Sequence, residues 1–397
     1  MLLTFTLAAQ DPAPQLMSPE SVLLGRIRDH MHDVLSHIPN YTCVETMERT
    51  RRVGPAHQFQ MQDILRMEVA LVEGKEMFAW PGSKKFEHDD LRNLISSGTY
   101  GNGAFALFAR AVFLSSAPVF VYRGEEAVEG RTLVRYDFRV SKTTSGYQIR
   151  VEDRSAVVSY RGSFWADPQT LDAVRLEVIA EDIPPALGLS YSSDRIDYAR
   201  TRIGAEDFLL PNESQLDMRQ PNGMESRNFV RFSSCRQYTG ESVLRFDEVT
   251  GPDLGSIPKP GDEEILLPGG MELEIALVDD IDLASAAAGD EVHGLLSGEL
   301  KHKGKILAAK GAVILGRITR LEHYPDQTVV GFTFTDLYSD GKHAGLTLEM
   351  DRALLKNPLV TAPRTPRVLE HRPHEGLIQA RAGRVILQRG MLMYWRT

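Results

Sequence analysis

The stretch from Leu267 to Arg320 limits this chain's fold more than any other. Apolar residues alternate there at Met271, Leu273, Ile275 and Leu277 and again at Ala312 and Ile314, with Gly289-Asp290 and Lys310-Gly311 between them. A period of two is the mark of a strand with one buried face, and glycine beside aspartate or lysine marks the tight turns that reverse it. A chain built this way folds into antiparallel strands closed around a small core.

The same pattern fills most of the remaining sequence. Pro19 to Ile38 places Val22, Leu23, Ile27, Met31, Val34, Leu35 and Ile38 near a 3.6-residue period behind Ser18, which predicts an amphipathic helix with Ser18 as its cap. Pro39-Asn40 ends it, and from Tyr41 to about Asp247 the chain reads as an antiparallel meander. Its turns carry Glu73-Gly74, Glu129-Gly130, Asp167-Pro168 and Pro221-Asn222-Gly223. One helical interruption is expected from Asp89 to Leu114. Four prolines and five glycines between Thr250 and Gly270 have the composition of an extended linker. The expected organisation is therefore an export-signal remnant at 1–15, an antiparallel half-barrel wrapped on helices at 16–249, a linker at 250–270, and a small β-barrel or sandwich at 271–397. The fold class is mostly β with a few helices.

With 42% hydrophobic and 25% charged residues, the 397-residue chain has the composition of ordinary globular domains. Its net charge of -9 argues against a nucleic-acid partner, because neutralising phosphates supplies most of that affinity. The opening LLTFTLAA, followed by Gln10-Asp11-Pro12-Ala13-Pro14, is similar to the apolar core and cleavage region of a secretory signal. Export, to the periplasm or to an association with the outer membrane, is the expected address. The apolar run Ala104 to Tyr122 carries Arg110, two serines and Pro118, which makes a membrane-crossing helix a poor reading of it. The two cysteines, Cys43 and Cys235, form an even pair in an exported chain, and a disulfide between them is expected ahead of two buried thiols.

In its order of elements, and in phrases such as RMEVALVEGKEMFAWPG, the region from Ser18 to Asp247 resembles the half-barrel of the outer-membrane lipoprotein carriers, the Lol type. That resemblance implies a concave apolar face that holds an acyl chain. The C-terminal third, through Leu267-Pro268-Gly269-Gly270, Ile281-Asp282, Gly289-Asp290, Lys310-Gly311-Ala312 and Gly316-Arg317, resembles a piece of the TrbI-type barrel of conjugation and type IV secretion machines. Its Lys310-Gly311 turn lacks the proline of that family's signature, and what it implies is a small envelope barrel.

No catalytic motif can be assembled from the residues. His30, Asp33 and His37 share a helix face but lack a further ligand, and Pro373 separates His371 from His374. Gly98, Gly101 and Gly103 follow no strand and lead to no Gly-Lys-Ser/Thr. No cofactor and no metal is expected. Phe105, Phe108, Val112 and Phe113 are more apolar than one helix face requires, so they form either a buried plug or one wall of a lipid-sized cavity, which Trp80 and Trp165 would also line. The leading expectation is a non-enzymatic envelope protein that binds a lipid, an acyl chain or a lipidated protein. The alternatives are a structural protein of an envelope complex without a cavity, and a hydrolase whose site forms only in three dimensions, around His88, Asp89 and Asp90 or around His371 and Glu375.

Overall fold

The computed structural model describes residues 18–83, 86, 91, 94–95, 99–101, 104–151, 154–238, 264–354, 363–370 and 372–397. The expected export segment lies outside them, as do most of the expected linker, Gly98, Gly103, His88, Asp89, Asp90 and His371.

Helix α1 (Pro19–His37) precedes twelve strands. The first three are β1 (Tyr41–Val53), β2 (Gln60–Val72) and β3 (Lys75–Ala79). Helix α2 (Leu107–Phe113) then leads into β4 (Val119–Val128), β5 (Arg131–Val140), the side hairpin β6 (Gln148–Val151) and β7 (Arg154–Val157), and β8 (Ser159–Ala166). The series ends with β9 (Ala173–Glu181), β10 (Tyr191–Ile203), β11 (Glu206–Arg219) and β12 (Met224–Gln237). All but the side hairpin form one ten-stranded sheet in the order β3-β2-β1-β12-β11-β10-β9-β8-β5-β4. Two meanders are thus joined edge to edge where the last strand, β12, pairs antiparallel with the first, β1. Cys43 on β1 and Cys235 on β12 are disulfide-bonded across this seam, with a sequence separation of 192. In the chain-entropy view, a loop of that length contributes about 5 kcal/mol.

Among the described residues of the span Asp89 to Leu114, where a helical interruption is expected, only Leu107–Phe113 is α-helical. Seven residues form barely two turns, too few to persist without docking on a partner. The docking is provided by the sheet. Its inward face, with α1 and α2, makes one aromatic-rich core around Tyr136, Phe138, Phe164 and Ile196 and a second around Tyr41, Met47, Met67 and Phe232. Ile27, Met31 and Leu35 are the buried stripe of α1. Arg110 of α2 donates to the Leu35 carbonyl at 3.2 Å, and Tyr136 donates to Glu20 O at 2.7 Å.

The C-terminal strands are β13 (Glu272–Leu277), β14 (Ile281–Asp282), β15 (Glu291–Leu296), β16 (Leu300–His302), β17 (Lys305–Ala308) and β18 (Val313–His323). They continue through β19 (Gln327–Ser339), β20 (Lys342–Gly345), β21 (Glu349–Leu354), β22 (Gly376–Arg381), β23 (Ile386–Leu387) and β24 (Leu392–Arg396). The main sheet runs β20-β19-β18-β15-β13-β24-β21, and β22 pairs with β19 on the side shared with β20. β22 also lies against β21: a Cβ on Gly376 would come within 2.7 Å of Met350 and 2.5 Å of Trp395. The sheet therefore curls into a small barrel around Ile275, Ile314, Phe332, Phe334, Met393 and Trp395.

The barrel meets the large sheet at β2. Strand β3 covers only Glu68 to Val72 of that edge, and Ala288 bridges the exposed remainder, exchanging bonds with Ile64 O at 2.9 Å and Arg66 N at 2.8 Å. Asp290 pairs with Arg66, and Arg317 donates to Pro81 O at 3.1 Å. Gly289 sits at φ +107°, and a Cβ there would fall 2.0 Å from the Arg66 carbonyl oxygen, so glycine is what permits the close approach.

Candidate functional site

Strand alternation should place alternate side chains of β1 in the core, and it does so for Tyr41, Cys43 and Met47; the same face also carries Glu45 and Arg49. On β10, Ser192, Asp194, Ile196 and Tyr198 share the buried face. The concave side of the large sheet is therefore not purely apolar. Arg49 is neutralised by Asp63 on the neighbouring strand, through an Nε bond of 2.6 Å and a second, shorter contact. Glu45 and Asp194 have no such partner. Burial, reinforced by Glu76, pushes the Glu45 carboxyl up to about 8, and burial reinforced by Asp217 does the same for Asp194.

Both acids line one cavity together with Ser214, Asn228, Met47, Phe105 and Glu76. Its cavity volume is about 10 Å³, room for about one water molecule. The turn leading into α2 roofs it. Asn228 Nδ2 donates to Thr99 O at 2.7 Å, and a Cβ on Gly101 would touch Leu216 at 3.0 Å. Glu76 accepts from Ala106 N at 2.9 Å and Leu107 N at 3.3 Å, which fixes the start of α2. Asn228 Oδ1, by contrast, is buried without a hydrogen-bond partner.

The expected ligand-binding residues divide among three places. Phe108, Val112 and Phe113 project from α2 into the core beside α1, where Phe113 packs on Phe164 with ring centroids 5.1 Å apart. Phe105, in the preceding turn, bridges Tyr41 at 4.8 Å and Phe232 at 5.2 Å in the other core, against which half-buried Trp80 also packs. Trp165 does not join them. Its neighbour Phe164 takes the inward position, so alternation turns Trp165 to the opposite face of the sheet. There it donates to Glu126 at 2.7 Å beneath the Arg135 guanidinium. Where an apolar cavity wall was one expectation, the four aromatic and aliphatic side chains of 105–113 are packed as a plug.

The other sequence candidates are engaged elsewhere. His30 pairs with Asp172 at 2.8 Å, His37 bonds Asp33 O at 2.7 Å, and His374 lies 3.3 Å from Glu349. Glu375 is held by Arg320 at 3.0 Å and Thr319 at 2.7 Å. Among the described residues no three His, Cys, Asp or Glu side chains are grouped to hold a metal. Nor is any described helix long and apolar enough to cross a membrane. Glu45 and Asp194 are not among the sequence candidates, because neither belongs to a recognisable motif. The signal was their parity, two residues from apolar side chains on strands otherwise buried on that face.

No family model matches this chain, and no curated protein does. Among solved structures it is similar to a DUF1329 family protein from Desulfovibrio piger, with 13% identity over 56% of this chain and 95% of that one and a TM-score of 0.31. It is also similar to an outer membrane lipoprotein-sorting protein domain from Vibrio parahaemolyticus, with 13% identity over 56% of this chain and 93% of that one and a TM-score of 0.31. The Pseudomonas aeruginosa MucA/MucB complex matches at 12% identity over 82% of this chain and 91% of that one, with a TM-score of 0.19. At scores this low the likeness says nothing of what this chain does.

Proposed function

We propose that the large sheet is a container for one acyl chain, from a lipid or a lipidated protein, and that it binds this ligand without catalysing a reaction. The observation that carries the reading is the plug: a seven-residue helix and the turn before it supply Phe105, Phe108, Val112 and Phe113 to both cores of the concave face. So short a helix is stable only while docked, so lifting it off opens an apolar trough lined by Tyr136, Phe138, Phe164 and Leu176. An acyl chain would refill that trough with a gain of roughly 0.8 kcal/mol per buried methylene. The Cys43–Cys235 disulfide supports an oxidising compartment, and with it export to the cell envelope, where such ligands are found.

The alternative, an envelope protein that docks through its strand edges, has one observation in its favour. β4 is an edge strand with Val119 70% and Val121 49% exposed. Its bulge at Gly124, φ +102°, twists that edge away from regular pairing, which is how natural sheets block strand addition. The container reading is therefore preferred.

Its test is a titration with a fluorescent fatty acid, cis-parinaric acid, on the wild type and on Phe108→Asp. A charge at this buried position disfavours the plugged state, so the variant takes up the probe more tightly than the wild type does. Uptake by neither protein, or identical uptake by both, contradicts the plug.

A further inference from the structure

The polar end of the cavity is built for a particular chemistry. Asp194 and Asn228 flank Leu216 in one row across β10, β11 and β12, and Ser214 stands two residues from Leu216 on the same face of β11. All three polar residues are at least 96% buried, at 3%, 1% and 4% relative exposure respectively. Each presents an oxygen. The amide of Asn228 spends its donor on Thr99 O, which leaves Oδ1 buried with no hydrogen-bond partner. Asp194 has no hydrogen bond to another described residue. Among the described residues no basic side chain lines the space, so an anion would find only repulsion from them, and no acids are grouped for a metal.

We propose that this end of the cavity is a site for a primary ammonium group carried on an apolar stem, with the Asp194 carboxylate, Asn228 Oδ1 and the Ser214 hydroxyl accepting its three N–H donors. An ammonium group is close to a water molecule in size, which is the room available, and three donors meet three acceptors that the fold leaves without enough donors of its own. The stem runs over Met47 and Phe105, beside Gly101 and Ala104. In this respect the inference rests on the container reading, since the stem lies under the Phe105 end of the plug that the container reading lifts.

Binding moves a proton. In the empty site burial keeps Asp194 protonated at neutral pH. An alkylammonium ion that enters at pH 7 forms the carboxylate–ammonium pair, and the carboxyl proton leaves to solvent. Glu45, which also lines the cavity and is pushed up to about 8 in the same way, stays a neutral carboxyl at pH 7.

Isothermal titration at pH 7 with decylamine, decanol and decanoic acid, each below its micelle concentration and in two buffers of different ionisation enthalpy, separates the outcomes. The wild type should bind decylamine about tenfold or more tightly than decanol, as hydrogen bonds to a charged group imply, with release of about one proton. Asp194→Asn should lose that preference and the proton release, Ser214→Ala should weaken it, and Glu45→Gln should keep most of it. Equal affinity for decylamine and decanol overturns the ammonium site while leaving the container intact. A decylamine preference that survives in folded Asp194→Asn overturns it as well. Binding of none of the three ligands overturns both readings.

Discussion

The barrel and the large sheet bury their strands in different ways. The barrel core is built of hydrophobic side chains, with Trp395 Nε1 and both side-chain amide atoms of the fully buried Gln327 left without a hydrogen-bond partner, and its buried ion pair, Arg320–Glu375, is bonded to Thr319 and next to Arg372. The large sheet carries Glu45, Asp194, Ser214 and Asn228 in the middle of its concave face, under a roof made from a turn and a seven-residue helix. Unpaired buried polar groups cost stability in both regions, but Glu45, Asp194 and Asn228 of the large sheet line one cavity, which is where the proposed site lies. The barrel covers the open part of the β2 edge.

The largest break in this comparison should come from the disulfide. Reduction of Cys43–Cys235 removes a constraint on a loop 192 residues apart and should cost the large sheet about 5 kcal/mol, seen by calorimetry as a lowered first transition with the barrel's transition unmoved. If both transitions fall together, the two regions are one cooperative unit and the contrast fails. Next in size, Phe332→Ala should leave a cavity in the tightly packed barrel and cost it about 3–5 kcal/mol, lowering the second transition alone. Proton linkage gives the sharpest contrast, at a smaller scale. Glu45 and Asp194 are raised from ordinary values of 4.5 and 3.8 to about 8 in the fold, so the stability they contribute is full below pH about 4 and is lost as pH rises towards 8. The melting temperature of the large sheet should accordingly fall between about pH 5 and pH 8. Glu45→Gln with Asp194→Asn should flatten that slope and raise the melting temperature at pH 8. A slope unchanged in the double variant would show that these carboxyls are solvated after all.

The strands were legible because period-two alternation is a local signal. β1 begins at Tyr41, where the sequence places the start of the meander. Alternation does not say which strands are neighbours, since that is decided by contacts across nearly two hundred residues. The one sequence hint that β12 returns to β1 was the pair of cysteines. The plug is half legible: its apolar content is evident, while the described helix in the span Asp89 to Leu114 is Leu107–Phe113. Trp165 was grouped with the plug by residue type alone, although strand parity with Phe164 excludes it. The polar seam was hidden by the rule that charges face water, which Glu45 and Asp194 break.

Native mass spectrometry of the protein, purified without detergent, tests the container most directly. The account predicts a population heavier than the chain by the mass of one acylated molecule, which is lost on mild activation and regained when lipid is added back. A bare chain mass that takes up no added lipid would contradict it.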